Sequence, residues 1–520
     1  MRPISLGLAV LVLFLGMAGG TGQRASAETG AAQTYLVVFS DGYAVGSDYA
    51  VDGSYAVEKT YAVLCTYAVS GVYAVDGNYA VGCNYAVNGT YAVYAVAHDY
   101  AVYAVTTAGG TVVSDLLKQI GVFVVQSTNP TFADVLSKYA VVESVARDYT
   151  WQGVPSGSGG PDTTGGALQS LQWSMQQIRA PQAHAVQGGS PAVTVGILDT
   201  GIDASHPNFV GADGKSNVDC SRGHNSVSFL PGGPGLGNPS PCVDNAFHGT
   251  HVAGIVAARA NGLGVVGVAP NVTLVPVKVC DSTGNCYASS VVDGITYAGD
   301  QRLNVINMSF YVDDDAFQQS TEFKCSTDPT QRAFRQAVAR AISYARSQGV
   351  VPVAALGNSD ADLAHPAAGN DCAVVPAETP GVIGVSALGP SKEKASYSNW
   401  GHVDVAAPGG TGTGDCRVGV LSTLPAASYG CISGTSMASP HAAGVAALIV
   451  SQFGKVGTDG RVTMDPSAVE SILQATAIDQ GLQGDDICFG HGRIDALRAV
   501  RNDTSNVYDG TAPFCAEYGS

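Results

Sequence analysis

Three short segments hold the residue types that acyl transfer by an activated hydroxyl requires. "GILDTGID" places Asp199 at the end of an apolar run, "FHGTHVAGIVA" places His248 just ahead of a helical pattern, and "SGTSMASPHAAGVAALIV" places Ser436 at the start of a long apolar one. A serine hydroxyl is a weak nucleophile at neutral pH and needs a base to take its proton. Histidine suits that task, and a carboxylate behind it fixes the ring tautomer and steadies the imidazolium. A helix N-terminus under the serine adds free backbone N–H groups and a positive dipole end for a developing oxyanion. "VAALGNS" contributes Asn358, a side-chain donor to the same oxyanion. Taken singly, Asp199 also fits a turn cap, His248 a core histidine and Ser436 a helix cap. The three extended motifs together point to catalysis.

These residues need a scaffold that presents strand ends. From about Leu168, short Val/Ile-rich runs ("VTVGILDTG", "VTLVPVKVC", "LNVINMSF", "GVVPVAALGN", "GVIGVSAL", "HVDVAAPG") alternate with helical patterns such as "ASSVVDGITYAGDQ" and "QRAFRQAVARAISYARSQG". Buried strands alternating with helices predict an α/β fold, a mainly parallel sheet between helical layers. Functional groups in such folds gather at the carboxyl ends of the strands.

The motifs "DTGID", "HGTHVAG" and "GTSMASPH", in the order Asp, His, Ser, closely resemble those of the subtilisin-like serine proteases, the subtilase family, over roughly Leu168 to Val500. The resemblance implies a secreted endopeptidase with the subtilisin-like three-layer fold. Asp199 would be the orienting acid, His248 the general base, Ser436 the nucleophile and Asn358 the oxyanion donor, with protein and peptide substrates. "NMSFYVDD" stands where the family has its substrate-pairing strand, which places Ser309, Phe310, Tyr311, Leu356 and Gly357 at the substrate. Tyr311 and Leu356 are larger than the family's usual residues there and are expected to face and reshape the primary pocket. "AARANGLGVVGVAP" resembles the loop carrying a structural Ca²⁺ site in many subtilases. Asn261 stands at a ligand position and Asn208 in place of the usual aspartate.

The chain ahead of this region divides further. Arg2, the apolar run "ISLGLAVLVLFLGMAG" and "RASA" read as a secretory signal over residues 1–27, which predicts a released protein without a membrane anchor. Residues 28–152 contain strand, strand, helix and strand patterns that resemble the family's small α+β propeptide, an intramolecular inhibitor that is later removed. Its first helix is missing from this reading, because a Tyr-Ala-Val tract over residues 43–105 stands there. The tract's six-residue period puts Tyr and Val on one face if extended, with turns at "DGS", "DGN" and "NGT". A Gly/Ser-rich linker over 153–167 offers a processing region, and residues 168–520 form the peptidase domain.

Composition narrows the alternatives. A net charge of −17 excludes a nucleic-acid partner of the usual basic kind, and nothing suggests more than a monomer. Twelve cysteines in an exported chain imply disulfides, ten of them after residue 200, with connectivity left open. The rival reading is a secreted repeat protein whose Tyr-rich tract binds surfaces or glycans and whose protease-like domain is inactive.

Overall fold

In the computed structural model the described residues are 31–40, 66–68, 84–86, 91–148, 150–152, 167–211, 213–228, 230, 240–311, 325–366 and 370–510. The expected signal segment, most of the repeat tract and the linker lie outside them.

The amino-terminal unit is a four-stranded antiparallel sheet in the order β2-β3-β1-β4, with β1 (Gln33–Phe39), β2 (Gly110–Leu116), β3 (Val122–Ser127) and β4 (Val142–Arg147). It includes the helix that the sequence reading lacked. That helix, α1 (Tyr91–Thr107), is made from the end of the repeat tract, where the sequence reading placed no helix. The reason is the spacing. From Tyr91 the Gly- and Asn-containing spacers vanish, and "YAVYAVAHDYAVYAV" interleaves alanine, the best helix former, among Tyr and Val with no Gly, Asn or Pro to break the run. Ala101, Ala104, Val105 and Ala108 then fall at helical spacing and are buried against Tyr35, Val37, Phe39 and Phe123. Earlier in the tract, Thr66–Ala68 pairs in parallel with Asn84–Ala86.

The larger unit is built on a seven-stranded parallel sheet. Its order is β12 (Val405–Pro408), β11 (Ile383–Leu388), β10 (Val351–Ala355), β9 (Val305–Met308), β6 (Thr194–Asp199), β7 (Thr273–Lys278), then the short strand His224–Asn225. The strands are almost wholly buried, because helices cover both faces. One layer contains α3 (His248–Ala257) and α6 (Thr435–Phe453); the other contains α4 (Ala288–Asp300) and α5 (Pro329–Ser347). Side chains of β10 alternate between them, Val353 into the first and Ala354 into the second. Among the described residues, disulfides join Cys220–Cys242, Cys280–Cys286, Cys325–Cys372 and Cys416–Cys431.

The two units meet along α4 and α5. Leu36, Val38, Val122 and Val124 share a core with Val291, Ala298 and Ala341. Arg340 pairs with Glu143 at 2.8 Å and donates to the Phe39 carbonyl at 2.8 Å. The Asp148 carboxylate accepts from the backbone N–H of Ser289 and from its hydroxyl at the start of α4, where free N–H groups favour an anion. Just beyond, β5 (Thr150–Gln152) pairs antiparallel with β8 (Asn285–Tyr287).

Because α1 is held by a small apolar face, Ala104→Asp should release it by burying an unpaired charge. Hydrogen exchange should then lose protection over Gln33–Arg147 while Thr194–Asp199 stays protected. Unchanged protection in the amino-terminal sheet would contradict this packing.

Candidate active site

Asp199, His248 and Ser436 converge from three elements. Asp199 is the last residue of β6, His248 the first of α3 and Ser436 the second of α6, and all three are buried. His248 Nδ1 lies 2.9 Å from each Asp199 carboxylate oxygen. The Thr200 N–H also donates to Asp199 Oδ1 at 2.8 Å, so the carboxylate has partners without water. Nε2 of His248 has no partner, which leaves it able to accept a proton. The Ser436 hydroxyl donates to the Ser309 carbonyl at 3.0 Å, and Ser309 Oγ donates back to the Ser436 carbonyl at 2.8 Å. The hydroxyl proton must therefore leave the Ser309 carbonyl before it can pass to the histidine.

Asn358 sits on the open side of this group. Its side-chain oxygen accepts from the Thr435 N–H and the Thr435 hydroxyl, both at 2.9 Å. The Thr435 oxygen in turn accepts from the Gly357 N–H at 3.1 Å. With the amide oxygen committed, the NH₂ group is what Asn358 offers to a ligand. A methyl carbon placed on Gly434 would lie 3.6 Å from the Ser436 backbone nitrogen and 3.8 Å from Asn358 Nδ2. Two donors thus border one small space.

Several supporting residues were not found by sequence reasoning. The buried Asp244 carboxylate accepts from Thr200 Oγ1, from the Ala246 and Phe247 N–H groups, and from both the N–H and the hydroxyl of Thr250. It fixes the turn into α3, where Phe247 takes a positive φ of 111° directly before His248. Its only sequence signal is an acid four residues before the histidine. Buried Lys278 donates to the Thr200 carbonyl at 2.7 Å, and burial lowers its pKa. Of the other three buried histidines, His251 and His441 flank the site and are structural. Burial pushes His251 down to about 3 and His441 down to about 4, so both are neutral, and each donates an N–H to backbone carbonyls.

The expected substrate residues divide. Ser309 and Gly357 touch the serine and its helix as described. Phe310 and Leu356 are fully buried in the core behind the sheet, and Tyr311 packs partly buried against it. Leu356 was expected to face the pocket; strand alternation instead turns it inward, where its Cδ1 sits against Gly384.

The expected calcium ligands do not form a cation site. Asn208 is buried, with Oδ1 accepting from the Val265 N–H at 2.9 Å. This fixes Nδ2 as the donor to the carbonyls of Arg259 and Val265, at 3.1 and 3.0 Å. Asn261 Nδ2 likewise donates to the carbonyls of Pro207 and Val210. Amide protons fill the place where Ca²⁺ would demand oxygen ligands. Among the described residues no cluster of three or more His, Cys, Asp or Glu could hold a metal.

Known proteins share this architecture. Residues 190–492 match the model of the subtilase family, Peptidase_S8. Subtilisin from Bacillus pumilus is 35% identical over 335 residues, spanning 64% of this chain and 100% of the relative. Thermitase from Thermoactinomyces vulgaris is 33% identical over 338 residues, spanning 64% and 97%. A crystal structure of the epidermin leader peptide processing serine protease from Staphylococcus aureus superposes with a TM-score of 0.63 at 18% identity, over 91% of this chain and 98% of that one. The sheet order, the helices on its two faces and the matched sequence agree: the chain belongs to the subtilase family and is a subtilisin-like serine endopeptidase.

Proposed function

We propose that this endopeptidase is exported as a zymogen and works through Ser436, His248 and Asp199, with Asn358 completing the oxyanion site. The observation that carries the assignment is His248, anchored through Nδ1 to both Asp199 oxygens with Nε2 left open. On binding of a peptide, the Ser436 hydroxyl turns from the Ser309 carbonyl toward Nε2. Oγ attacks the scissile carbonyl carbon as Nε2 takes its proton, and Asp199 steadies the resulting imidazolium. The oxyanion is received by the Ser436 N–H and the Asn358 amide. Collapse of the tetrahedral intermediate breaks the C–N bond, and the imidazolium protonates the departing amine. Water, activated by the same histidine, then hydrolyses the acyl-enzyme.

Residues 28–152 serve as an intramolecular propeptide, removed by cleavage within 153–167, after residues 1–27 have directed export. This is supported by the seating of Thr150–Gln152 on the Asn285–Tyr287 edge and by Asp148 at the start of α4. The rival surface-binding repeat protein is disfavoured because the end of the repeat is spent on packing this unit's own core. The enzyme acts as a monomer on protein substrates.

Three outcomes follow. The wild-type chain should cut itself between Gln152 and Leu168, whereas Ser436→Ala should stay full-length on a gel; equal processing of both would refute the nucleophile assignment. Thr435→Val removes one of two anchors of the Asn358 amide, so steady-state kinetics should show kcat down about tenfold with KM little changed. Losing such an oxyanion donor outright costs on the order of 10²–10³-fold. Calcium should bind the 259–265 loop only when a carboxylate is supplied. The wild-type Tm should then ignore chelator, while Asn208→Asp should gain a calcium-dependent Tm. A wild-type Tm restored by Ca²⁺ after chelation, with Asn208→Asp no more responsive, would contradict this.

A further inference from the structure

Strand β9 lies in the middle of the sheet, yet one of its four buried residues is an amide. Val305 packs into the layer that holds α6, and Ile306 and Met308 pack into the other. Strand alternation therefore turns Asn307 toward α6, at zero exposure. A buried primary amide is unfavourable unless its hydrogen-bonding groups are met. Here two partners meet it. Asn307 Oδ1 accepts from the Ser439 hydroxyl at 2.7 Å, and Nδ2 donates to Ser309 Oγ at 2.8 Å. The Ser309 hydroxyl donates onward to the Ser436 carbonyl at 2.8 Å.

That last bond fills a gap in the helix. A carbonyl in an α-helix is ordinarily met by the N–H four residues on. For Ser436 that residue is Pro440, inside α6, which has no N–H to give. The donor comes instead from the Ser309 hydroxyl, and the requirement fixes every proton along the chain. The Ser436 carbonyl can only accept, so the Ser309 hydroxyl points its proton there and its oxygen must accept from Asn307 Nδ2. The amide oxygen is then left for Ser439, three residues after Ser436 on the same helix. The relay thus leaves α6, crosses to β9 and returns to α6 at the nucleophile. Asn307, Ser309 and Ser439 are all at zero exposure, where no solvent competes for these bonds.

We propose that Asn307 is a positioning residue for Ser436: the buried relay Ser439–Asn307–Ser309 supplies the donor that Pro440 cannot, and holds the first turn of α6 against the end of β9. The inference rests on the reading of Ser436 as the nucleophile. That turn carries both the attacking hydroxyl and the N–H assigned to the oxyanion, so its placement sets the geometry of attack. Asn307 and Ser439 lie beneath the turn and meet no substrate. Their loss therefore falls on the chemical step rather than on binding.

The test measures kcat and KM for a hexapeptide anilide on the self-processed product of the full chain, with active sites counted by fluorophosphonate labelling of Ser436. Asn307→Leu keeps a similar volume and deletes both hydrogen bonds. It should lower kcat about tenfold and leave KM within about twofold. In a Ser309→Ala background the same substitution should lower kcat by less than about twofold, because the relay acts through Ser309. Ser439→Ala leaves the amide in place but frees it to turn, and should lower kcat about threefold. This milder variant still decides the matter if Asn307→Leu fails to fold, since an unchanged kcat would overturn the proposal. An unchanged kcat in Asn307→Leu would also overturn it, as would a loss confined to KM or a full tenfold fall in the Ser309→Ala background. A wild-type chain that the fluorophosphonate leaves unlabelled at Ser436 would overturn the nucleophile reading, and this inference with it.

Discussion

Much of this structure answers to one contact, the pairing of His248 with a carboxylate that has been taken out of water. At zero exposure the Asp199 oxygens are not left without partners, because they meet the imidazole and the Thr200 N–H. A strand end supplies that environment. β6 is a central strand, flanked by β7 and β9, and it delivers the carboxylate to the carboxyl edge of the sheet while its own backbone is fully paired. The helix that bears His248 must then start at one place, and Asp244 sets it by collecting donors from Thr200 on one side and from the first turn of α3 on the other. The positive φ at Phe247 is the strain that this arrangement tolerates.

The same sheet edge orients the residues proposed to meet the substrate. Ser309 follows β9, Gly357 and Asn358 follow β10, and the Asn285–Tyr287 edge follows β7 through a loop rooted on the Asp199 carbonyl. Thr435 ties the Asn358 group to the serine helix through hydrogen bonds in both directions. The amino-terminal unit docks on the opposite layer, along α4 and α5, so it reaches the Asn285–Tyr287 edge only with its last strand. The apolar contact lies along those helices, and three residues at the tail pair with the edge.

The parts of this arrangement that were legible in the sequence are those where chemistry and local backbone share one motif. "DTGID", "HGTHVAG" and "GTSMASPH" each join a reactive side chain to the strand end or helix start that presents it, and the alternating buried runs announced the parallel sheet. Asp244, Lys278 and Thr435 act through bonds to backbone groups distant in sequence, and no spacing rule reveals such partners. Leu356 was misread because β10 is covered on both faces, so its apolar run carries no sign of which side each residue takes. The α1 helix was missed because the six-residue period of the earlier repeats was extended past Tyr91, where the spacers end. The loss of Gly and Asn was the signal, and the apolar spacing of Ala101, Ala104, Val105 and Ala108 was its consequence.

One serine, at the second position of α6, is proposed to carry the acyl group between substrate and water. Incubation with an activated acetate ester at acidic pH, where deacylation is slow, followed by peptide mass spectrometry, places that group directly. A single acetyl group is expected on the peptide containing Ser436, absent when His248 is replaced by Ala. Acetyl on another residue, or no acetyl-enzyme while the ester is still turned over, would contradict it.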